Sequence, residues 1–534
     1  MKINKGAALL CIALGMIVGN LCFADPTLLG SMTGEAVYDE FGFAVSASVC
    51  DFNYVLETHW GDVVVGAHHA HTDIGESYVY FGANPFNTSI DLYLNGPSGG
   101  SVYDYFGYAL SGHLNLNGDA HSDIAVGAPG RNYSKGEAYI YYGGSSMNNG
   151  IDVTLSGAAD YDEFGAAINN TYCNVDNNSY GDVVVGAPYA NGDIGRAYVF
   201  YGGNPMNNVA DVTLSGESAN DEFGFSISCG NVNGDSYSDI VVGAPGRNGS
   251  QGKVYIFYGG NPMNNVADIT YTGVSTGDRF GASVCLREKC LIVGAPGYNS
   301  STGKIYIDST CDGTWDITKT GESTYNSFGA SVYLAYLGSS GSEYDAFLVG
   351  APDYSSSTGR VYTYKRYNGA LYWTLTGEAT YDSFGTSINC GHDVNRVSRC
   401  SPADDIIIGA PGYSSSTGKA YVYDGVTFHP PKEGDGGSQS VGYNDVSTAL
   451  KVKPNPFKER LSITFNGTKG SDYRLRLFDV SGRIVKTING HMCNNTETLI
   501  WDRRDERGEM VGAGIYLYQY ECGRETASGV VVAR

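Results

Sequence analysis

Residues 211–258 read DVTLSGESANDEFGFSISCGNVNGDSYSDIVVGAPGRNGSQGKVYIFY. This stretch contains a Phe223-Gly224 pair, a polar loop at 231–239 and an apolar run that ends in Gly243-Ala244-Pro245. The Phe-Gly pair and the Gly-Ala pair recur along most of the chain. The Phe-Gly pairs start at Phe41, Phe106, Phe164, Phe223, Phe280, Phe328 and Phe384, and the Gly-Ala pairs at Gly66, Gly127, Gly186, Gly243, Gly294, Gly350 and Gly409. Repetition at a fixed period is the signature of a repeat architecture, here with seven units of roughly 50 to 65 residues.

Each unit contains about four short β-rich runs separated by Gly, Ser, Asn and Asp, which is the pattern of strands and turns. Four strands per period correspond to one blade of a propeller, in which radial repetition protects the sheet edges. A β-solenoid and a string of small sandwiches are the alternatives, but the period is long for a solenoid coil and short for a sandwich of about 100 residues. We therefore predict an all-β chain with a seven-bladed β-propeller over residues 25–428.

The Phe-Gly and Gly-Ala-Pro units resemble the FG-GAP repeat family, whose type example is the seven-bladed propeller of integrin α subunits. Ring closure can also be predicted. A run ending in Gly precedes the Phe-Gly pair in most units, but none follows Ala420–Tyr423. We therefore expect residues 28–34 to supply the missing outer strand of the last blade, which would remove both free edges.

The chain has 534 residues, a net charge of −23 and a pI near 4.7. This acidity argues against a nucleic-acid partner and suits divalent cations. Residues 1–24 have the form of a secretory signal peptide, with Lys2 and Lys5 before an apolar core and small residues before Asp25. A membrane anchor is the alternative, but the core is short for a span of about 20 residues. We therefore predict that the chain is exported.

Ten of the twelve cysteines follow the predicted signal, and an even number in an exported protein favours disulfides. Three pairs flank loops or share the C-terminal segment: Cys285 with Cys290, Cys390 with Cys400, and Cys493 with Cys522. The remaining four, Cys50, Cys173, Cys229 and Cys311, have no obvious partner. The sequence has no CxxC motif, so redox chemistry is not indicated.

Residues 429–443 are rich in Pro, Gly and charge and are predicted to form a linker. Residues 444–534 then form a second domain, with Lys453-Pro454-Asn455-Pro456-Phe457, Gly512-Ala513-Gly514 and a terminal apolar run. This segment resembles the C-terminal sorting domain of the type IX (Por) secretion system and is also similar to the Ig-like domain of flagellar hook-capping proteins. The resemblance implies a small Ig-like β-sandwich that is an export address for the type IX machinery. It also implies a secreted or outer cell-surface protein of a Gram-negative, Bacteroidota-like bacterium. An ordinary Ig-like domain is the alternative.

The polar loops of repeats 2, 3 and 4 are residues 115–123, 174–182 and 231–239, and we call them loops 2, 3 and 4. Each has oxygen side chains at its positions 1, 3, 5 and 9, and a backbone carbonyl is available at position 7. Ca²⁺ prefers six to eight such hard oxygen ligands, and the FG-GAP resemblance implies calcium at these positions. The candidate ligands are Asn115, Asn117, Asp119, His121 and Asp123 in loop 2; Asn174, Asp176, Asn178, Tyr180 and Asp182 in loop 3; and Asn231, Asn233, Asp235, Tyr237 and Asp239 in loop 4.

An Asx-rich turn without a metal is the alternative for these loops. Position 1 is Asn in all three, and loops 2 and 4 contain two carboxylates each, so weak binding is expected. Loop 1 (Asp51, Asn53, Asp62) and loop 7 (Asp393, Asn395, Asp405) match the pattern less well. Repeat 5 lacks the loop, and the loop of repeat 6 is poor in carboxylates, so both are predicted to bind no metal.

Catalytic motifs are scarce. His68, His69 and His71 could bind zinc, but we interpret them as part of a polar surface loop. Residues 96–100 match GxSxG, yet they lie in a Gly-rich loop rather than on a strand-to-helix turn. We predict no catalytic residues.

Three functions remain open: a calcium-binding adhesion or ligand-binding module for protein or glycan, an extracellular hydrolase or lyase, and a passive structural component of a surface layer. Carboxylates or histidines that converge on the channel mouth would favour an enzyme, and an aromatic patch on one face would favour binding.

Overall fold

The computed structural model describes most of the propeller and part of the C-terminal segment. The described residues are 26–48, 52, 61–83, 85–97, 99–119, 121–144, 147–337, 346–391, 394, 404–425, 450–453, 461–466, 472–479, 483–491, 496–505, 507, 510–512, 514–522 and 525–533. The predicted signal peptide, the predicted linker and Ser98 lie outside these residues. The chain divides into two compact units, Met1–Pro431 and Lys432–Arg534.

The first unit contains seven antiparallel sheets of four strands each, as predicted. We number its strands β1 to β28 along the chain and list them by blade from the inner to the outer strand. Blade 1 is Ala44–Ala47, Val63–Ala67, Glu76–Tyr80 and Leu92–Leu94 (β2–β5); blade 2 is Leu110–Leu114, Asp123–Ala128, Glu137–Tyr141 and Val153–Ser156 (β6–β9); blade 3 is Ala167–Ile168, Val183–Ala187, Arg196–Phe200 and Val212–Ser215 (β10–β13); blade 4 is Ser226–Gly230, Asp239–Ala244, Lys253–Phe257 and Ile269–Thr272 (β14–β17). Blade 5 is Ser283–Arg287, Cys290–Ala295, Lys304–Asp308 and Ile317–Thr320 (β18–β21); blade 6 is Ser331–Ala335, Ala346–Ala351, Arg360–Lys365 and Leu371–Thr376 (β22–β25); blade 7 is Ile388–Gly391, Asp405–Ala410, Lys419–Tyr423 (β26–β28) and Leu28–Thr33 (β1).

A short helical turn joins the second and third strands of every blade. These turns contain residues with positive φ and are not regular helices. They are Ala70–Asp73, Arg131–Ser134, Ala190–Asp193, Arg247–Ser250, Tyr298–Ser301, Tyr354–Ser357 and Tyr413–Ser416 (α1–α7).

The N-terminal strand closes the ring. Strand β1 pairs antiparallel with β28, with Ser31 opposite Tyr421 and Thr33 opposite Lys419. Blade 7 therefore consists of three strands from the end of the propeller sequence and one from its beginning, which confirms the predicted closure. Met32 is buried in the core between blades 7 and 1, so β1 contributes apolar packing as well as hydrogen bonds.

The core lies between the faces of neighbouring blades. Second strands are buried along their whole length, as in β15 and β19, which explains why they are continuous apolar runs. The phenylalanine of each Phe-Gly pair is buried in the same layer. Phe223, for example, packs edge-on against Tyr255, with ring centroids 5.2 Å apart, in a cluster that also contains Val199 of the preceding blade.

The two glycine motifs meet where blades approach each other. In each Phe-Gly pair the glycine has φ between 88° and 94°, and its N–H donates to the Gly-Ala glycine of the same blade, as from Gly224 to Gly243 at 3.1 Å. The Gly-Ala glycine in turn lies against the next blade: a Cβ atom on Gly186 would be 2.0 Å from the carbonyl oxygen of Gly224. The equivalent distance is between 1.8 and 2.1 Å at all seven junctions. Close approach of the blades therefore explains why both positions are glycine.

One disulfide joins adjacent blades. Cys173 pairs with Cys229, with Cα atoms 5.4 Å apart and a sequence separation of 56. The predicted Cys285–Cys290 pair is wrong, because both thiols are free and buried on the hairpin that begins blade 5. Burial raises the pKa of the Cys285 thiol to about 11 and that of Cys290 to about 12, so both stay protonated. Cys311 and Cys390 are also free, whereas Cys50, Cys400 and Cys493 lie outside the described residues.

The second unit has two antiparallel sheets. One contains β29 (Leu450–Lys453), β30 (Leu461–Asn466) and β33 (Thr496–Trp501); the other contains β31 (Asp472–Asp479), β32 (Ile484–His491), β34 (Gly514–Cys522) and β35 (Glu525–Ala533). Residues of both sheets share one core around Trp501, which packs with Ile463, Leu475 and Tyr516. This arrangement is a β-sandwich, and its Ig-like character stays a prediction.

Candidate functional site

The two ends of each inner strand define two faces of the propeller. The turn that enters an inner strand from the previous blade lies at one end, together with the helical turns α1–α7, and we call this the turn face. The loop between the inner and second strands lies at the other end, and we call this the loop face. Loops 2, 3 and 4 are therefore on the loop face.

Loops 2 and 4 fold as a ladder of side-chain to backbone hydrogen bonds. In loop 4 the Asn231 Oδ1 accepts from the Gly234 N–H at 2.7 Å, and the Asp235 Oδ1 accepts from the Tyr237 N–H at 2.8 Å. Loop 2 repeats these bonds at equivalent positions. Gly118 and Gly234 have φ of 73° and 81°, so they supply the turn that the sequence predicts. The ladder brings the side chains at positions 1, 3 and 5 together within one tight loop.

The aspartate at position 9 fixes each loop to its blade. Both Asp182 carboxylate oxygens accept backbone hydrogen bonds, from Val175 at 2.6 Å and from Gly202 at 2.9 Å. Asp123 and Asp239 make the same pair of contacts. Burial raises the pKa of Asp123 and of Asp182 to about 7, whereas a divalent cation beside them would favour the charged form. Each carboxylate oxygen has a second lone pair with which to bind a cation.

Loop 3 differs from the other two in a way that fits a metal. The Asn174 Oδ1 is buried and has no hydrogen-bond partner, although its Nδ2 donates to the Asn178 carbonyl at 2.8 Å. An acceptor without a donor is costly to bury, and a cation would satisfy it. The donor set of loop 3, with Asp176 and Asp182 as carboxylates, consists of the hard oxygens that Ca²⁺ prefers. The residues present therefore fit this ion.

The remaining loops are only partly described. Asp62 of loop 1 and Asp405 of loop 7 accept the same two backbone hydrogen bonds as Asp182. Their predicted partners Asp51, Asn53, Asp393 and Asn395 lie outside the described residues, as does the loop of blade 6. In blade 5 a tight hairpin between Arg287 and Cys290 replaces the loop, which confirms the predicted deletion.

The turn face presents a series of exposed tyrosines that the sequence analysis missed. In five of the seven junction turns, tyrosine lies three positions before the Phe-Gly phenylalanine. These side chains are 59 to 73% exposed, and their backbone φ is between 61° and 72°. Asn220 and Gly277 occupy the other two turns. The five follow one another around the ring and form what we call the tyrosine arc: Tyr325, Tyr381, Tyr38, Tyr103 and Tyr161.

In most of these turns a buried aspartate accepts a backbone hydrogen bond from within the turn. Asp382 follows Tyr381 directly, and its Oδ2 accepts the N–H of Ala379 at 2.7 Å. Six of the seven turns have an aspartate that accepts from the residue three positions earlier. A bulky residue with positive φ is strained, and such strain is found most often at functional sites. The turns therefore fix exposed aromatic rings at a cost in backbone energy.

Clefts lie beside the tyrosine arc. One of about 740 Å³ includes Tyr325 and Asp353 and runs between the junction turn and helical turns α5 and α6. Another of about 410 Å³ includes Tyr38, His69 and Asp73. Both clefts are on the turn face, opposite loops 2 to 4.

One of the blade 1 histidines, His68, is not in the polar surface loop that the sequence predicts. The expectation of a polar surface loop is wrong for His68, which is 4% exposed and packs against Phe43 and Tyr108. Burial lowers the pKa of His68 to about 3, so its ring is neutral. His71 is exposed, as expected, and contacts Glu76 at 3.1 Å.

A polar cluster connects inner strands across the propeller axis. The Arg287 Nη2 donates to the Tyr333 hydroxyl at 2.7 Å, and that hydroxyl is 3.3 Å from the His113 Nε2. Asp404 lies 3.7 Å from the Arg287 guanidinium. Because blades 2 and 6 are not neighbours, these contacts must cross the centre of the ring. His113 and Tyr333 are buried, so we interpret the cluster as a polar contact that holds non-adjacent blades together.

Family comparison agrees with the repeat pattern. The family described as FG-GAP repeat matches residues 106–141 and 223–257, and the family described as secretion system C-terminal sorting domain matches residues 451–532. The chain contains FG-GAP repeats, within a seven-bladed propeller, and a C-terminal sorting domain. This sorting domain indicates export by the type IX secretion system, as is typical of secreted and outer-surface proteins of Bacteroidota.

Two curated relatives match parts of the FG-GAP propeller chain. Phosphatidylinositol-glycan-specific phospholipase D of Homo sapiens is 26% identical over 361 residues, which cover 61% of this chain and 37% of the relative. Integrin alpha-5 of Xenopus laevis is 29% identical over 226 residues, which cover 39% of this chain and 20% of the relative. The chain therefore spans less than two fifths of the length of either relative. A solved structure titled "Structure of Dos1 propeller" has a TM-score of 0.39 and 13% identity, covering 69% of this chain and 75% of that one.

None of the helices within the described ranges is long and apolar enough to cross a bilayer.

Proposed function

We propose that the FG-GAP propeller is a secreted or surface-attached adhesion module that binds a protein or glycan ligand through its turn face. The observation that carries this proposal is the tyrosine arc. Tyrosine is enriched at binding surfaces because it offers a large, rigid, amphipathic contact area. The five rings follow one another around one face, are held by strained turns, and lie beside clefts.

The charge of the chain bears on the ligand. A net charge of −23 argues against polyanionic partners and leaves neutral glycans and neutral or basic protein surfaces. A relative with a phospholipase D name keeps a hydrolase as the alternative. The exposed tyrosine arc is the feature that favours the binding module over this alternative.

The binding proposal predicts that ligand capture depends on the tyrosine arc. The full chain is applied to glycan and protein arrays, and a triple variant, Tyr325→Ser with Tyr381→Ser and Tyr38→Ser, is applied alongside it. We expect the triple variant to lose at least about tenfold in affinity, because each anchor of a binding surface contributes roughly 1 to 2 kcal/mol.

The control variant is Tyr367→Ser. Tyr367 is 76% exposed, similar to the arc residues, but it lies in the turn between β24 and β25 on the loop face. Its binding is expected to equal that of the unchanged chain. Equal losses in both variants, or no loss in the triple variant, would remove the turn face as the binding surface.

We further propose that loops 2, 3 and 4 bind Ca²⁺ and stabilise the loop face. The buried Asn174 Oδ1 without a donor and the hard-oxygen donor sets support this assignment. The ligands would be the side chains at positions 1, 3, 5 and 9, with the backbone carbonyls of His121, Tyr180 and Tyr237 at position 7.

Calcium is expected to raise the free energy of unfolding. Binding to the folded state alone contributes about 2.7 kcal/mol per site at a free concentration of 100 Kd, so chelation should lower the urea midpoint and added Ca²⁺ should restore it. Asp176→Asn is expected to reduce this response, since it removes a charge from loop 3. Ser179→Ala, at a position of the same loop that is not a predicted ligand, is the control. An equal midpoint with chelator and with calcium would contradict the metal assignment.

A further inference from the structure

Blade 1 differs from the other blades at the end of its second strand. After Gly-Ala, six repeats have proline, whereas the first has His68, followed by His69. Both histidines lie near Glu40, which directly precedes Phe41-Gly42 in the junction turn from blade 7. One ligand atom from each of the three residues lies within 4.8 Å of the other two. We call Glu40, His68 and His69 the blade 1 triad.

The distances within the triad suit a shared ion better than direct hydrogen bonds. The Glu40 Oε2 is 3.8 Å from the His68 Nε2 and 3.9 Å from the His69 Nε2, and both distances exceed those of a hydrogen bond. Around a tetrahedral metal with bonds of about 2.0 to 2.1 Å, ligand atoms are separated by roughly 3.3 to 3.4 Å. The ligand atoms of His68 and His69 lie within 4.8 Å of each other, so side-chain movements of up to roughly 1.5 Å would bring all three atoms to one ion.

The orientation of His69 is set by a second carboxylate. The His69 Nδ1 is 2.5 Å from the Asp73 Oδ1. This contact favours the tautomer that carries its proton on Nδ1, so the Nε2 lone pair points toward Glu40. A carboxylate behind a histidine is the usual support for a histidine that ligates a metal.

The environment of His68 also indicates a ligand. Its side chain is 5% exposed and fixed by aromatic rings, with Phe43 at 4.1 Å and Tyr108 at 5.3 Å between ring centroids. Its Nδ1 is buried and without a hydrogen-bond partner within the described structure, so packing rather than a carboxylate holds this ring. A half-buried carboxylate beside two imidazoles would be neutralised by a divalent cation.

We propose that the blade 1 triad binds a divalent transition metal of the zinc class, with one coordination position left for water. Two imidazoles and one carboxylate suit Zn²⁺ and Co²⁺ better than Ca²⁺, which prefers oxygen ligands alone. His69 and Asp73 line the cleft of about 410 Å³ on the turn face, which gives the ion a path from solvent. This site is on the opposite face from loops 2 to 4 and does not depend on the proposed function.

Metal titration of the full chain tests the proposal. The protein is stripped with a chelator, dialysed into excess Ca²⁺ so that the oxygen-rich loops are filled, and titrated with Co²⁺ and then Zn²⁺. We expect one equivalent of Co²⁺ with a visible absorption band that Zn²⁺ removes. His69→Gln and Glu40→Gln are each expected to weaken binding by at least about tenfold. His71→Gln is the control, because His71 is a neighbouring histidine that contacts Glu76 instead of the triad.

Two results would overturn the proposal. One is the absence of the Co²⁺ band and of bound Zn²⁺ in the unchanged protein. The other is a variant pattern that does not single out the triad, with either no loss in His69→Gln or an equal loss in His71→Gln. Circular dichroism of each variant checks folding. If Glu40→Gln does not fold, His69→Gln still decides, since the His69 side chain is partly exposed.

Discussion

A chain that begins at residue 35 is expected to be less stable than one that begins at residue 25 by at least about 5 kcal/mol. The deletion removes β1, so β28 becomes an unpaired edge in blade 7. Burial of Met32 alone contributes about 1.5 to 3 kcal/mol, and each lost ladder hydrogen bond about 0.5 to 1.5 kcal/mol. Exposed edges also promote association. Urea unfolding followed by tryptophan fluorescence, together with light scattering, measures both effects.

Two controls separate strand loss from general damage. Met32→Ser should reproduce part of the loss because Met32 is buried, whereas Leu28→Ser should be near neutral because Leu28 is half exposed on the same strand. A peptide of residues 25–34 added to the shortened chain should restore stability by pairing with β28. An unchanged urea midpoint in the shortened chain would contradict closure of the ring by β1.

Replacement of a Gly-Ala glycine by alanine is expected to have the second large effect. In Gly186→Ala the new Cβ would be 2.0 Å from the Gly224 carbonyl oxygen, which belongs to the backbone of the next blade. Blades 3 and 4 would have to separate, and the Cys173–Cys229 bridge restricts that movement. We expect a loss of about 3 kcal/mol or more in the free energy of unfolding.

Gly203→Ala is the matched control in the same blade. Its nearest atom would be 3.4 Å from the added Cβ, an ordinary contact, and the position has no positive φ. Its free energy of unfolding, measured by urea denaturation, should change by no more than about 0.5 kcal/mol. Similar losses in Gly186→Ala and Gly203→Ala would show that blade contact is not the reason for glycine at this motif.

The sequence was sufficient for features whose determinants lie within one repeat. Phe223, Gly224 and Gly243 mark a blade because the buried ring and the two close contacts are the same at every junction. The hairpin of blade 5 followed from the missing residues between Phe280 and Gly294. The propeller fold and the strand that closes it could therefore be predicted from the sequence alone.

Features formed by residues from different repeats could not be predicted from the sequence in the same way. Cys173 and Cys229 had no obvious partner in the sequence, and they pair because blades 3 and 4 lie side by side in the ring. Glu40 meets His68 only because a junction turn folds over the end of β3. For the tyrosine arc a signal was present in the spacing of Tyr325 and Tyr381 from their Phe-Gly pairs, but exposure of the rings required the turn geometry.

The pairing of β1 with β28 also determines when the protein can finish folding. Residues 28–33 leave the ribosome, and any export channel, long before residues 419–423, so the first segment must wait for its partner while six blades assemble. Contacts between distant parts of a chain form slowly, and chains with unpaired strands are prone to exchange them with neighbours. The completed ring is therefore a late product of maturation, and domain-swapped dimers are the characteristic error when that last step fails.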